Sequence, residues 1–237
     1  MREFFEKLYK EREENFFEEL RKKLNNEERT FIVTANPEAF MYGEKESFVR
    51  QLLLDEKTTV VADGIGLVKT AKMLDIVIPE RIPGVDIAER LLEYGNESKK
   101  KLFLFGAKQE VLDALQKKIK TDYPGVEIVG ICNGYVKDKD KIFEQIVPLQ
   151  PDIVLVALGM PMQEKLIYKY LDRFDKGIFV GVGGSFDVLS GTKKRAPEFF
   201  IKHNLEWLYR IAKEPSRLKR FYDNNIKFIF KVRKEKA

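Results

Sequence analysis

An α/β fold with a mostly parallel sheet is predicted by three observations on the 237-residue sequence. Short apolar runs alternate with helical patterns along most of the chain, which is the signature of repeated βα units. The runs are apolar at nearly every position, as strands covered on both faces must be. Glycine and polar residues gather where each run stops and the next helix begins.

The elements follow in chain order. Residues 1–29 open with Phe4, Phe5, Leu8, Tyr9, Phe16, Phe17, Leu20 and Leu24 at roughly helical spacing among dense charge, which predicts an amphipathic helix with a stripe to cover. Strands are expected at "TFIVT", "TTVVA", "KLFLF", "VEIVGI", "DIVLVA" and "GIFVGV". Between them Glu38 to Leu54, Ile65 to Leu74, Val85 to Tyr94, Gln109 to Lys120, Asp138 to Val147 and Met162 to Phe174 read as helices, so residues 30–196 form one Rossmann-like domain. Residues 197–237 change character, with helical periodicity interrupted at Pro215 and aromatics interleaved with Lys and Arg. They read as a helical appendage.

Composition narrows the function classes. The chain is 44% hydrophobic with a formal net charge of +5, enough for a real core and compatible with an anionic partner. Its single cysteine, Cys132, excludes an internal disulfide or a thiolate cluster. The lone histidine, His203, excludes an HExxH site and fits a structural role better than a triad. No window approaches the ~20 apolar residues of a spanning helix, so the expected setting is cytoplasmic, with any membrane met from its surface. "GIGLVK" has Lys69 and "GVGGSF" has Phe186 where a dinucleotide fingerprint needs its third glycine. "DKD" at Asp138 to Asp140 is flanked by Lys139 and Lys141 and reads as a solvated helix start.

In an open parallel sheet, ligands bind at the carboxyl ends of the strands. Thr34 and Asn36, Asp63 and Gly64, Gly106, Gly134 and Tyr135, Gly159 to Gln163, and Gly181 to Asp187 all fall at such ends. Singly, each has a structural reading: turn glycines, Asp63 as a helix N-cap, Gln163 as a first-turn polar group. Together they predict one crevice.

"TANPEAF", "ADGIGLV", "PERIPGVDI", "LFGA", "VALGMPMQEKLI", "GVGGSFDVLSGTKKRAP" and "LEWLYRIAKEPSRLKR" occur in the order and spacing of the WecG/TagA/CpsF glycosyltransferases, family 26, which the chain resembles over roughly Phe31 to Phe221. The resemblance implies an inverting transfer from a UDP-sugar donor to a polyprenyl-diphosphate-linked saccharide, with no cofactor and no metal, for cell-surface polysaccharide or teichoic acid linkage units. It implies Asp63 as the base, matches Thr34, Gln163 and Arg81 to the family's site residues, and puts Tyr135 and Asp187 at the uridine; Asn36, Gly106, Gly183 and Gly184, at the strand ends, are expected to help hold the donor. Arg210, Arg217 and Arg220 match the arginines of the C-terminal block, and their spacing of seven and three suits one helical face. Chemistry agrees with these assignments: a carboxylate at a strand end can take the acceptor proton as the new bond forms, and Gly64 and Gly66 leave room for a sugar. Backbone N–H groups of "GVGGS" and guanidinium forks can meet the leaving diphosphate.

The expected partners are the donor, the lipid-linked acceptor, an anionic membrane surface and a homo-oligomer, with no nucleic acid. Phe221, Tyr222, Phe228, Ile229, Phe230 and Val232 amid Lys and Arg are expected in the headgroup layer at the inner face of a bacterial plasma membrane. The alternatives are a nucleotide-dependent oxidoreductase on the same fold and a non-catalytic module for nucleotide or lipid. One departure is the long charged opening helix, where family members commonly begin with a short strand and helix.

Overall fold

Six β-branched and aromatic runs form the strands β1 (Arg29–Ala35), β2 (Thr58–Ala62), β3 (Lys101–Gly106), β4 (Glu127–Cys132), β5 (Ile153–Ala157) and β6 (Gly177–Gly181). The protein, a computed structural model, is described over residues 1–236, without the side chains of residues 217, 220, 224, 235 and 236. All pairings in the sheet are parallel, in the order β2-β1-β6-β5-β3-β4.

The helices are α1 (Arg2–Lys7), α2 (Glu13–Asn25), α3 (Pro37–Gly43), α4 (Ser47–Leu54), α5 (Ile65–Met73), α6 (Gly84–Ser98), α7 (Gln109–Asp122), α8 (Lys139–Ile146), α9 (Met162–Tyr170), α10 (Ser185–Leu189), α11 (Glu198–Lys202), α12 (Glu206–Lys213), α13 (Arg217–Phe221) and α14 (Lys227–Lys236). The last two are joined by a π-helical turn, Tyr222–Ile226. Side chains from α1, α3, α4, α5, α8, α9 and α14 join one core against the sheet. Those from α2, α6, α7 and α10 join the other. Strand residues alternate between the two: Phe31 and Val33 face the first, Ile32 the second. Neither face is left to water, which is why the strands are apolar throughout.

The chain after β1 enters the first core through α3, and the chain after β6 enters the second through α10. Between these neighbours the connections go to opposite faces, and the carboxyl ends at such a point are where doubly wound sheets bind their ligands.

Three expectations are corrected. The opening segment is two helices, not one; between them Leu8 makes a parallel bridge to Val60 and the Tyr9 N–H donates to the Val60 carbonyl at 2.8 Å. This covers the free edge of β2, which an uninterrupted helix could not do. The second correction concerns the C-terminus. Phe228 and Val232 do not face outward; both are fully buried. Phe228 lies 6.0 Å from Phe5 and 6.2 Å from Phe40 between ring centroids, and Lys231 pairs with Glu44 at 2.7 Å. The stripe of α1 and the inner face of α14 cover each other, so the two ends of the chain close one core. The predicted helix from Glu38 to Leu54 is likewise split in two, with Glu44 to Glu46 between α3 and α4.

Candidate active site

The carboxyl ends of β2, β1 and β6 carry a chain of polar contacts. Asp63 follows β2; its own N–H donates to the Ala35 carbonyl at 2.8 Å, continuing the ladder one residue past the strand. Its carboxylate does not cap α5, whose N-cap is Gly64 without a side-chain bond. It accepts instead from the N–H of Gly84, the first residue of α6, at 2.9 Å. A Cβ at Gly84 would stand 3.1 Å from Thr34, and the absence of one lets the helix start approach β1. Burial pushes the Asp63 pKa above its ordinary value. The Gly84 N–H and the charges of Arg210 and Arg81 work against that rise, and Glu206 adds to it.

Thr34 is buried and donates its hydroxyl to the Gly181 carbonyl at 2.7 Å. Beyond Gly181, Gln163 is also buried. Its Oε1 accepts from the N–H groups of Gly159 at 3.0 Å and Gly183 at 3.1 Å, and its Nε2 donates to Glu164 at 2.7 Å. One amide thereby ties the turns after β5 and β6 together. A Cβ at Gly181 would lie 2.6 Å from that amide and 2.8 Å from Glu164, so this glycine is required by close approach. Glu164 is buried with its Oε2 lacking a hydrogen-bond partner, and burial raises its pKa to about 7.

Asn36 caps α3, accepting from the Ala39 N–H at 3.1 Å. Arg81 donates to Glu206 on α12 at 2.7 Å. Arg210, half-exposed, lies 3.7 Å from the same carboxylate. The Arg217 and Arg220 side chains lie outside the described residues, although both positions fall in α13.

The remaining strand-end residues are packed less uniformly. Gly106 has φ of +130° and meets the Ala157 backbone so closely that a Cβ would stand 2.3 Å from its carbonyl oxygen. Gly183 has φ of +50°, and open space lies beside both Gly183 and Gly184. Asp187 sits in the first turn of α10, 3.8 Å from Lys193. Tyr135 is 73% exposed, its ring held only through the backbone, where its N–H donates to Asn133 at 3.0 Å.

Sequence reasoning missed Glu164, Arg195 and Glu206. Glu164 carried a signal: it precedes Ile167 by three positions on the face of α9 that is otherwise apolar, so its burial follows from helical spacing. Glu206 and Arg195 carried none, since their contacts depend on where α12 packs. Among the described residues no His, Cys, Asp and Glu side chains group as a metal site, and no helix is long and apolar enough to cross a membrane.

With this geometry in place, the chain matches the family described as Glycosyl transferase WecG/TagA/CpsF over residues 7–237. It is similar to curated proteins named N-acetylglucosaminyldiphosphoundecaprenol N-acetyl-beta-D-mannosaminyltransferase. The Bacillus spizizenii protein is 41% identical over 83% of this chain and 76% of its own length. The Bacillus subtilis protein is 41% identical over 80% and 73%. A Staphylococcus aureus protein is 35% identical over 87% and 80%.

Proposed function

We propose, for a chain that belongs to the WecG/TagA/CpsF family and is therefore a glycosyltransferase, that it moves N-acetylmannosamine from a UDP-linked donor to N-acetylglucosaminyl-diphosphoundecaprenol, with inversion and without a metal. The acceptor and the sugar follow the names of the relatives. Membership in a transferase family displaces the oxidoreductase and non-catalytic alternatives.

The observation that carries the mechanism is the Asp63 carboxylate, held at the mouth of β2 by one backbone bond and made more basic by burial. A base of raised pKa takes a hydroxyl proton more readily late in the attack. As the acceptor oxygen bonds to the anomeric carbon, its proton passes to Asp63 and the bond to UDP breaks on the opposite side of the sugar. Thr34 and Gln163 support this from below, fixing the backbone of β6 and of the Gly159 and Gly183 turns. The space beside Gly183 and Gly184 leaves room for the diphosphate, and Arg210, with Arg217 and Arg220 from the C-terminal block, receives its developing charge. Tyr135, Asp187 and Gly106 border the space assigned to uridine, and Asn36 shapes the sugar end by holding α3.

The membrane reading is retained in altered form. Phe199, Leu208, Leu218, Tyr222 and Phe230 are exposed on the C-terminal helices, and Lys202, Lys213 and Lys219 lie among them in sequence. Such a set suits adsorption to an anionic surface carrying the acceptor, with Phe228 and Val232 as the buried anchor.

The test is UDP release from a panel of UDP-sugars with a polyprenyl-diphosphate N-acetylglucosamine acceptor, with and without EDTA. UDP-N-acetylmannosamine is expected to be turned over, unaffected by chelator. Transfer that persists in Asp63→Asn at the parent rate overturns the mechanism.

A further inference from the structure

Glu206 is the one charged residue of α12 that the fold buries, and its setting is unusual. Its Oε2 accepts from Arg81 Nη1 at 2.7 Å. Its Oε1 has no hydrogen-bond partner and lies 3.7 Å from both Arg195 Nε and Arg210 Nη2. Arg195 is itself bonded to Asp86, in the first turn of α6, at 2.6 Å. Three guanidinium groups thus converge on a carboxylate that is 6% exposed. Burial works to raise its pKa, but the Arg81 bond and the charges of Arg81, Arg210 and Arg195 outweigh it and hold the group ionised.

Arg81 is the informative partner. It lies in the segment between α5 and α6, where the next residue, Ile82, donates its N–H to the Ala62 carbonyl at 2.8 Å. Gly84, three residues on, donates to Asp63. The segment is therefore fixed to the end of β2 at two backbone points, and the free end of Arg81 is fixed by Glu206. A buried ion pair is weak support for stability, because desolvation offsets most of the attraction, but it selects one geometry over others.

We propose that Glu206 is a positioning residue: its carboxylate, carried on α12, fixes the orientation of the Arg81 guanidinium in the segment that is bonded to the end of β2 and to Asp63. The inference rests on the transferase reading above and deepens it. Without that carboxylate Arg81 loses its partner and its orientation, and Arg195 links the same carboxylate to the start of α6 through Asp86.

The experiment is a double-mutant cycle with an independent reporter. Glu206→Ala is expected to lower kcat by ~10²-fold with a much smaller change in KM for the donor, as misplacement of a site group does. In an Arg81→Ala background the same change should cost less than about twofold more, because the two residues act as a unit. Trp207, adjacent to Glu206 and stacked on Phe221 at 4.6 Å, reports the seat of α12 without substrate. Its emission should shift in both Arg81→Ala and Glu206→Ala. Losses that multiply across the cycle, or Arg81→Ala emission identical to the parent's, overturn the proposal. Should Glu206→Ala fail to fold, Glu206→Gln takes its place in the cycle. A parent chain that transfers no sugar would overturn the transferase reading, and the Trp207 measurement would still decide the coupling.

Discussion

The two halves of the sheet's carboxyl end are built to different rules. On the β2, β1 and β6 side, the polar groups at the strand ends already have protein partners. Asp63 is bonded to Gly84, Thr34 to Gly181, and Gln163 to Gly159, Gly183 and Glu164. On the β3 and β4 side, Tyr135 projects into solvent, and β4 is an edge strand with no fully buried residue. The first arrangement resists reorganisation, which suits a group whose position must be right when charge develops. The second has few contacts to break, which suits a surface that closes on a ligand. On the proposed transferase reading, chemistry falls to the rigid side and nucleotide capture to the loose one.

Substitutions can break or sharpen this contrast. The largest effect is expected at Asp63: Asp63→Asn should lower kcat by ~10² to 10⁴ with the fold intact, as checked by steady-state UDP release and circular dichroism. For the parent, kcat/KM should fall as pH drops through the pKa of Asp63, which is raised by burial. That acid limb therefore begins at higher pH than an ordinary aspartate would give.

Next comes Glu164, whose pKa rises from 4.5 to about 7. Between those values the folded chain holds more proton than the unfolded one, so stability falls as pH rises through the window. The whole effect is about 3 kcal/mol. Glu164→Gln keeps an acceptor for the Gln163 amide and should flatten this part of the pH dependence, leaving the variant more stable than the parent near pH 8 in urea titrations. Equal slopes in the two proteins would show the carboxyl to be hydrated.

Thr34→Val should destabilise by roughly 1–3 kcal/mol, because the Gly181 carbonyl is left buried without its donor. A shift in urea midpoint without a change in m-value is the check. At the loose side the smallest effect is expected. Tyr135→Ala should leave thermal stability unchanged, the ring being exposed, and raise KM for the donor several-fold with kcat little altered. A lowered melting temperature would mean that this side is also packed.

The strands were legible because a strand buried on both faces must be apolar at every position, and "FIV", "LFLF" and "IVLVA" satisfy that locally. The strand-end residues were legible for the same reason, as interruptions of a simple pattern. Where Asp63 points was not. Adjacent Gly64 suggested a cap for the following helix, whereas the helix it meets begins at Gly84, brought alongside by the Ile82 bond to Ala62. Phe228 and Val232 were misread because periodicity marks an apolar face without saying what covers it.

By itself, the sequence determined the six strands, the burial of the central ones, and the order of motifs that marks the family. These follow from local pattern, since hydrophobic periodicity and turn chemistry act over a few residues. Only the tertiary structure decided that α1 and α14 cover each other, that Gln163 joins two turns, and that Glu206 reaches Arg81 across the chain. Those outcomes depend on distances between residues far apart in sequence, and a buried polar side chain takes whichever partner packing brings within hydrogen-bond reach.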